Sequence, residues 1–408
     1  MTSDATPRGR GRLSRRDMLR IGAWGAGSVA VAAAGALTWR SVDGGVFAAG
    51  TGPAYEPWSL PAPSGPRDLV HAAILAANAH NTQPWIFRVE PDRIDVFADG
   101  TRTIGTIDPL LREQQISLGC ALENLLTVAP LAGLRATPTL LPDPSDPGHV
   151  ARVDLAPTAR TASPLADAIP SRHTDRAAYL AERPVSDAAL KRYRDAAEGA
   201  GVSLLWLADD DERRAFGDLT VRATEAIIAD PDQAADDHRW YRSEWRDIQR
   251  LRDGVTIDAS GQPAFIRTVA KIFPTTREQN HDGWLRGTRD TQVPTAAAFG
   301  ALVVPDGHDP AARLAAGRAY QRLHLMATAD GIAMQPLCQI PERVDREESA
   351  GLDPHFTREL ADLVPAGHAI MTFRIGHPTV AAPPSPRRAV EDVLADAQSR
   401  SGEPDTAY

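Results

Sequence analysis

The sequence predicts an α+β protein made of two related halves. Three observations carry this: 408 residues with 43% apolar content, a helical segment that occurs twice, and alternating strand patterns beside the helices. That length and apolar content supply a large buried core, and exclude a small disulfide scaffold or a disordered chain. The repeated segment is 115–134 (QISLGCALENLLTVAPLAGL) and 316–337 (AGRAYQRLHLMATADGIAMQPL). Each reads as a long amphipathic helix closed by a small-residue stop, at Gly133 and Gly331. A repeat about 200 residues apart is too long for a solenoid, and it divides the folded part into halves at 67–157 and 158–395.

The first half opens with an expected helix over 68–77, with Leu69, Ala73, Ile74 and Ala77 on one face. Asn78-Ala79-His80-Asn81-Thr82-Gln83-Pro84-Trp85 breaks it, and 86–90 and 93–98 then alternate as two strands around Pro91-Asp92. A polar, proline-stopped loop between a helix and a strand suits backbone and amide contacts to a ligand. The second half carries an insertion at about 225–290 with Trp240, Tyr241, Trp245 and Trp284. Its stretch 237–253 reads as a helix that either folds over a site as a lid or packs through its aromatic residues. Residues 396–408 read as a tail.

Residues 1–50 read as a targeting segment. Ser14-Arg15-Arg16-Asp17-Met18-Leu19-Arg20 precedes a Gly- and Ala-rich apolar run over 21–39, the pattern of a twin-arginine signal. A plain membrane anchor is the alternative, although the run is barely long enough to span. The signal reading implies the twin-arginine translocase as a partner and export to the cell envelope or beyond. It limits membrane contact to this segment, which either stays as an anchor or is removed. Gly22, Gly25 and Gly27 fall inside the segment with no strand before them, so they are no dinucleotide loop. Residues 51–66 read as a Gly/Pro/Ser-rich linker.

The chain from residue 51 onward holds 37 basic and 50 acidic residues, which argues against a nucleic-acid binder. Cys120 and Cys338 have no metal-like spacing; they permit one disulfide without predicting it. No HExxH, Walker or GxSxG pattern supports a hydrolase or nucleoside triphosphatase. Arg172-His173-Thr174-Asp175-Arg176 places two forked donors and a hydroxyl together, either for one anion or as a solvated turn. Pro383-Pro384-Ser385-Pro386-Arg387-Arg388 is a stiff stretch that would hold further guanidinium groups at a fixed place.

Asn81-Thr82-Gln83-Pro84-Trp85 and Arg172-His173-Thr174-x-Arg176 resemble two hallmarks of the FMN-dependent nitroreductase superfamily, and the arrangement is similar to its Acg-type branch. The likeness covers nearly all of 67–395. In ordinary members the two motifs lie in the opposite order in one subunit of a homodimer. The resemblance therefore implies a single-chain pseudo-dimer of mixed sheets flanked by helices, monomeric, with one FMN.

It further implies that Arg172, His173, Thr174, Arg176 and Arg387 hold the phosphate. Asn78 and Ala79 approach the ring, and Asn81 and Gln83 shape their loop. Pro336, Leu337, Cys338 and Gln339 stand where many members have P-[IL]-E-G, whose amides face flavin N5 and O4. The departure to Cys338-Gln339 leaves nicotinamide orientation open, and Cys338 itself reads as either a core thiol or a reactive group. Arg222, Arg242 and Arg246 are candidates to face N1 and O2. The implied chemistry is two-electron reduction of nitro compounds, quinones or related acceptors, with NAD(P)H as a candidate donor; a flavin-sequestering protein without turnover is the alternative.

Overall fold

The computed structural model describes residues 39–395 apart from Pro274, so most of the targeting segment and the tail 396–408 lie outside the described residues. The first half contains α1 (Pro66–Ala73), β1 (Trp85–Glu90), β2 (Arg93–Ala98), α2 (Arg112–Val128), β3 (Leu134–Leu140) and β4 (His149–Pro157). The second begins with α3 (Pro164–Ala168), α4 (Asp187–Ala197) and β5 (Ser203–Leu207). An insertion follows: α5 (Asp210–Ala229), α6 (Pro231–Arg239), β6 (Tyr241–Arg242), α7 (Trp245–Leu251), β7 (Val255–Thr256), α8 (Ala264–Ile272) and α9 (Arg277–Gly287). The half resumes with β8 (Ala298–Val304), α10 (Pro310–Ala329), β9 (Ala333–Pro336), α11 (Gln339–Ala350), α12 (His355–Leu363) and β10 (His368–Gly376).

The repeat is realised as topology. One sheet has the order β1-β2-β4-β3 and the other β5-β8-β10-β9; α2 joins β2 to β3 just as α10 joins β8 to β9. Both long helices end on a left-handed glycine, Gly133 at φ 74° and Gly331 at φ 68°, a conformation that costs glycine little, and the chain then enters a strand. The second repeated segment is accordingly shorter as a helix than expected, because Ala333–Pro336 pairs with β10. The ladders of both four-stranded sheets are antiparallel. The mixed character expected of them is confined to a parallel bridge, Phe87 to Leu394, where the C-terminal segment of the second half reaches the first half's sheet.

Each strand's burial follows from what covers it. β8 (AFGALVV) is buried throughout, with Ala298, Leu302 and Val304 facing the main core and Phe299, Ala301 and Val303 facing a second core with α5, α11 and α12. β3 alternates half-buried and exposed residues, the pattern of a sheet with one wet face.

The halves meet along α2 and α10. A Cβ on Gly119 would fall on the Leu314 carbonyl, and one on Gly317 would fall on the Ile116 carbonyl. The offset from Ile116 to Leu314 equals that from Gly119 to Gly317 and from Gly133 to Gly331. These are reciprocal contacts across a two-fold, the form of an isologous dimer interface inside one chain. Gln321 reinforces it, donating from Nε2 to Asn124 Oδ1 at 2.7 Å and accepting the Ala77 N–H at 3.0 Å.

Three expectations are corrected. The stretch 51–66 is not a plain linker: Pro53–Trp58 is a 3-10 turn with Ala54 and Tyr55 buried, tied to the C-terminal stretch by Trp58 Nε1–H to Ser385 O (2.7 Å) and Arg387 N–H to Ala54 O (2.7 Å). The stretch 237–253 is not one helix: it breaks at Trp240, which is buried against Ile104, Ile107 and Ile227 and donates to Thr103 O at 3.1 Å. Helix α1 stops at Ala73 rather than Ala77. Side chains hold the carbonyls at and just past its end: Asn124 takes Ala72 O (2.8 Å), Arg172 takes Leu75 O (2.8 Å) and Arg387 takes Ala76 O (3.2 Å).

Gly317→Ala or Gly119→Ala is expected to cost about 2–3 kcal/mol by forcing the two helices apart. Denaturant midpoints check this. The double substitution should cost less than the sum, since one widening relieves both clashes; strict additivity would show that the two glycines do not share a contact.

Candidate functional site

Arg172, Arg176 and Arg387 converge on a polar cavity of about 30 Å³, together with Trp58, His173, Thr174 and Asn81. Arg172 and Arg387 are buried, and among the described residues none of the three arginines forms an ion pair. Neutral partners orient them instead. Arg172 donates to Leu75 O, Arg176 to Ala259 O (3.2 Å), and Arg387 to Asn81 Oδ1 (2.5 Å), Pro386 O (2.9 Å) and Ala76 O. Carbonyls at a helix C-terminus favour cations without neutralising them. Trp58 stands between, with its ring 4.8 Å from the Arg387 guanidinium, 5.9 Å from that of Arg172, and edge-on to His173 at 4.5 Å.

Burial lowers the Arg172 pKa to about 10, holds Arg387 well below its usual range with Arg172 adding to the effect, and lowers Arg176 as well. His173 is pushed to about 3 by burial and then by the two arginines, so its ring is neutral. Nε of Arg172, Nε of Arg387 and Nδ1 of His173 have no hydrogen-bond partner among the described residues. Donors of one sign, desolvated and partly unsatisfied around a cavity, make an anion site.

Ala77, Asn78, Thr174 and Arg176 line both this cavity and a larger pocket of about 270 Å³, so the two spaces adjoin. One wall is the loop 77–80 and the α2 face at Glu113, Ile116, Ser117 and Cys120; Tyr320 of α10 lies beside it. Pro336, Cys338, Gln339 and Glu342 at the head of α11 line the pocket as well, where the first amides have no partner within the helix. The insertion covers the pocket through Asp237, Trp240, Ile266 and Trp284 among others.

The loop is held under strain. His80, Asn81 and Gln83 have φ of 47°, 55° and 53°, at a cost of order 1–3 kcal/mol each for residues with a Cβ. Asn78 Oδ1 accepts the Gln83 N–H (2.8 Å), the Asn81 amide donates to Pro386 O (2.9 Å), and Gln83 bridges Arg252 O (2.7 Å) and the Arg388 N–H (2.8 Å). Asn81 and Gln83 thus fix the loop. Asn81 also lines the polar cavity, whereas Gln83 faces neither space. The Ala79 N–H donates to Ser117 Oγ at 3.0 Å, which anchors the pocket side of the loop to α2.

Several expected residues are placed differently. Leu337 does not line the pocket: its side chain is in the second core and its N–H donates to Thr372 O (2.9 Å), so that amide is not free for a ligand. Arg222, Arg242 and Arg246 are paired with Glu359, Asp253 and Asp43, and none reaches the pocket; its cations are Arg176 and Arg286. Cys338 lines the pocket as a buried thiol 3.4 Å from Met371 Sδ, pushed up by burial and then by Glu113, and so not a thiolate nucleophile. Both cysteines are free.

Two clusters were not anticipated. Asp237 accepts from His80 Nε2 at 3.0 Å and lies 3.4 Å from His281 Nε2; burial opposes its ionisation, but the two histidines outweigh it and hold its pKa low. Glu342 is raised well above the usual carboxylate range by burial and by the charge of Glu113. Arg112 stands behind them, 3.4 Å from Glu113 and 2.7 Å from Asp345. A proton is thus held on Glu342 in the pocket lining.

No family model matches the chain. A Mycobacterium tuberculosis protein provisionally named NAD(P)H nitroreductase Rv3131 is 30% identical over 354 residues, 85% of this chain and 95% of that protein. The chain belongs to the nitroreductase family. Another member from that organism, provisionally named NAD(P)H nitroreductase acg, is 31% identical over 147 residues, 35% of this chain and 44% of that protein. Among solved structures, an FMN-bound nitroreductase from Bacteroides fragilis matches at 15% identity and TM-score 0.32, covering 60% of this chain and 98% of its own. The nitroreductase NfnB of Mycobacterium smegmatis in complex with NADPH matches at 15% and 0.35.

In this member of the family Glu342 sets a pH dependence. Glu342 binds its proton more tightly in the folded chain than in the unfolded one, so stability is full below the ordinary carboxylate range and declines as pH rises through the raised value. Glu342→Gln cannot titrate and should gain on the wild type between pH 5 and pH 8, by about 1.4 kcal/mol for each unit of upward shift. Denaturation midpoints at the two pH values check it; parallel wild-type and variant profiles would mean that no proton is held there.

Proposed function

We propose that the chain is an FMN-dependent oxidoreductase that reduces nitro compounds, quinones or related acceptors by two electrons, with NAD(P)H as donor. The observation that carries this is the unpaired arginine cluster adjoining a larger pocket of mainly apolar lining. Three desolvated guanidinium groups match a phosphate monoester in charge and geometry, and the adjoining pocket offers a planar ring a mainly apolar bed. Family membership and the names of the relatives point the same way.

Arg172, Arg387 and Arg176, with Thr174, would hold the phosphate, and neutral His173 would donate or accept without adding charge. Asn78, Ala79, Pro336, Cys338 and Gln339 would border the ring. Bound FMN supplies hydride acceptance and return at N5. The chain's own part is to orient and to handle charge. The head of α11 would offer amides to ring heteroatoms, and Arg176 lines both the polar cavity and the pocket. Glu342 would hold a proton where an acceptor needs one, and the insertion would keep water out. The second reading, flavin sequestration, is favoured by that cover: α6 is pinned over the loop by Asp237 and His80. Stopped-flow bleaching separates the two, since a sequestering protein would bleach with dithionite and not with NADPH. We also propose export by the twin-arginine route and a monomeric state, the α2–α10 pair standing in for a dimer interface.

The purified protein is expected to be yellow, monomeric on gel filtration and to hold one FMN per chain. Arg172→Met should weaken FMN binding about ten- to hundred-fold, the value of one charge-assisted contact at roughly 1.5–3 kcal/mol. Riboflavin affinity should hardly change. The apoprotein should be no less stable than wild type, because an unpaired buried charge has been removed. If FMN affinity is retained, or apo stability collapses with it, Arg172 is a structural residue.

Replacing Arg15 and Arg16 with lysine should leave flavin-loaded protein in the cytoplasm, scored by fractionation. Export at the wild-type rate would point to a general secretory signal or anchor instead.

A further inference from the structure

Helix α8, AFIRTVAKI, has three longitudinal rows with three different environments. Ile266 and Ala270 line the large pocket. Arg267 and Lys271 pin the helix to Asp258, through Arg267 Nη1–H to Asp258 O (3.4 Å) and a buried Lys271–Asp258 ion pair at 2.7 Å. Phe265, Val269 and the following Phe273 form the third row, 75%, 38% and 53% exposed. Ile266 is 45% exposed as well, so this i, i+4, i+8 row belongs to an unusually apolar outer face.

The row continues onto the start of the described chain. Lys271 Nζ donates to Gly45 O (3.0 Å), Arg40 reaches Ile272 O (3.5 Å), and Gly44 packs on the Lys271 carbonyl. This brings Trp39, Val42 and Phe47, all exposed, to the C-terminal end of α8. Immediately before Trp39 the sequence 21–38 is apolar and carries no charged residue, while Trp39 and Arg40 follow it. A Trp-Arg step at the end of an apolar run is the composition that settles at the lipid headgroup level.

We propose that α8 and residues 39–47 form a membrane-docking face that seats the covered side of the pocket on a phospholipid bilayer. The chain leads from an apolar run to an interfacial Trp-Arg pair and directly onto a second apolar row at the same level. The α8 row has no acidic residue to repel lipid headgroups, Arg40 forms no ion pair among the described residues, and Asp258, the carboxylate facing α8, is neutralised by Lys271. The proposal does not depend on the flavin reading. It adds to it that molecules dissolved in the bilayer arrive beside the helix whose inner row, Ile266 and Ala270, lines the pocket.

The test uses full-length protein carrying Val269→Cys, labelled with an environment-sensitive thiol dye; Cys120 and Cys338 are buried and do not compete. On phosphatidylglycerol–phosphatidylethanolamine vesicles the dye should shift to the blue. Brominated lipid should quench it by about two-fold or more, as expected of an apolar face sunk to the headgroup–acyl boundary. The same dye at Ser145→Cys, in the exposed loop between β3 and β4, should stay unquenched and so controls for tethering by the N-terminal run. Adding Phe265→Ser and Phe273→Ser should abolish quenching at position 269 while leaving FMN content unchanged. No quenching on vesicle-bound protein overturns the proposal. So does a blue shift already present without lipid, which assigns the face to a second copy if it depends on protein concentration and to this chain's own N-terminal segment if it does not. Flavin absorbance in the same samples keeps the readings apart: yellow protein without quenching removes only the docking face, and colourless protein with quenching removes only the flavin.

Discussion

A guanidinium group taken out of water without a counter-charge costs several kcal/mol even after the protein relaxes. This chain does that repeatedly around one cavity, with Arg172 and Arg387 buried and Arg176 beside them. Much of the surrounding architecture can be understood as what keeps these groups in place. The Leu75 and Ala76 carbonyls, just past α1, go to Arg172 and Arg387, Asn81 adopts a left-handed backbone and gives Arg387 its side-chain oxygen, and Trp58 lies over both cations. The partners come from residues near 55, 80, 172 and 387, so the cavity exists only when both halves and both ends of the described chain have docked. A structure that meets so high a desolvation cost with neutral dipoles alone is arranged for a charge that arrives with a ligand, which is the physical content of the phosphate assignment.

The docking itself rests on the α2–α10 crossing. Glycines at equivalent places let the two backbones approach until each carbonyl fills the place of the other helix's missing side chain. The crossing also sets the pocket, since Ile116, Ser117 and Cys120 lie on α2 near Gly119, and Tyr320 lies on α10 near Gly317. In a true homodimer such an axis generates two equal sites. Here the halves have diverged around it: a short hairpin joins β1 to β2, whereas the corresponding β5-to-β8 connection holds the whole insertion. Asymmetry therefore lies in the connections, while the helix pair keeps its symmetry.

The halves, the glycine stops and the β1–β2 hairpin were legible in the sequence because each is a local pattern: period, stop residue, alternation. That Arg172 and Arg176 stand together was legible because Arg172-His173-Thr174-x-Arg176 is contiguous, and both line the polar cavity. What escaped was made by long-range burial. Trp58 sits in a Pro-rich stretch with the composition of a linker, and only its hydrogen bond to Ser385, more than three hundred residues away, makes it structural. Glu113 and Glu342 look like solvated helix residues until the fold turns both inward. Leu337 illustrates the reverse: the segment at 336–339 reaches the pocket, but strand pairing to Thr372 takes one of its amides, and β-pairing cannot be read from four residues. Arg222, Arg242 and Arg246 failed as pocket cations because each had a nearer carboxylate, which sequence does not reveal.

The two ends of the pocket differ in how they treat charge. At the arginine end positive charge is fixed and unpaired. At the other end Glu113, Glu342 and Asp237 bring carboxyl groups, which the protein neutralises locally: a proton on Glu342, Arg112 beside Glu113, and two histidines on Asp237. On the proposed flavin reading, a carboxylate left ionised there would oppose the anionic form of a reduced ring, whereas a protonated one would deliver a proton as electrons leave. The buried Glu342 proton would then suit the second half of a two-electron reduction, and the contrast between this neutral end and the unpaired arginines would orient a ligand with one charged end.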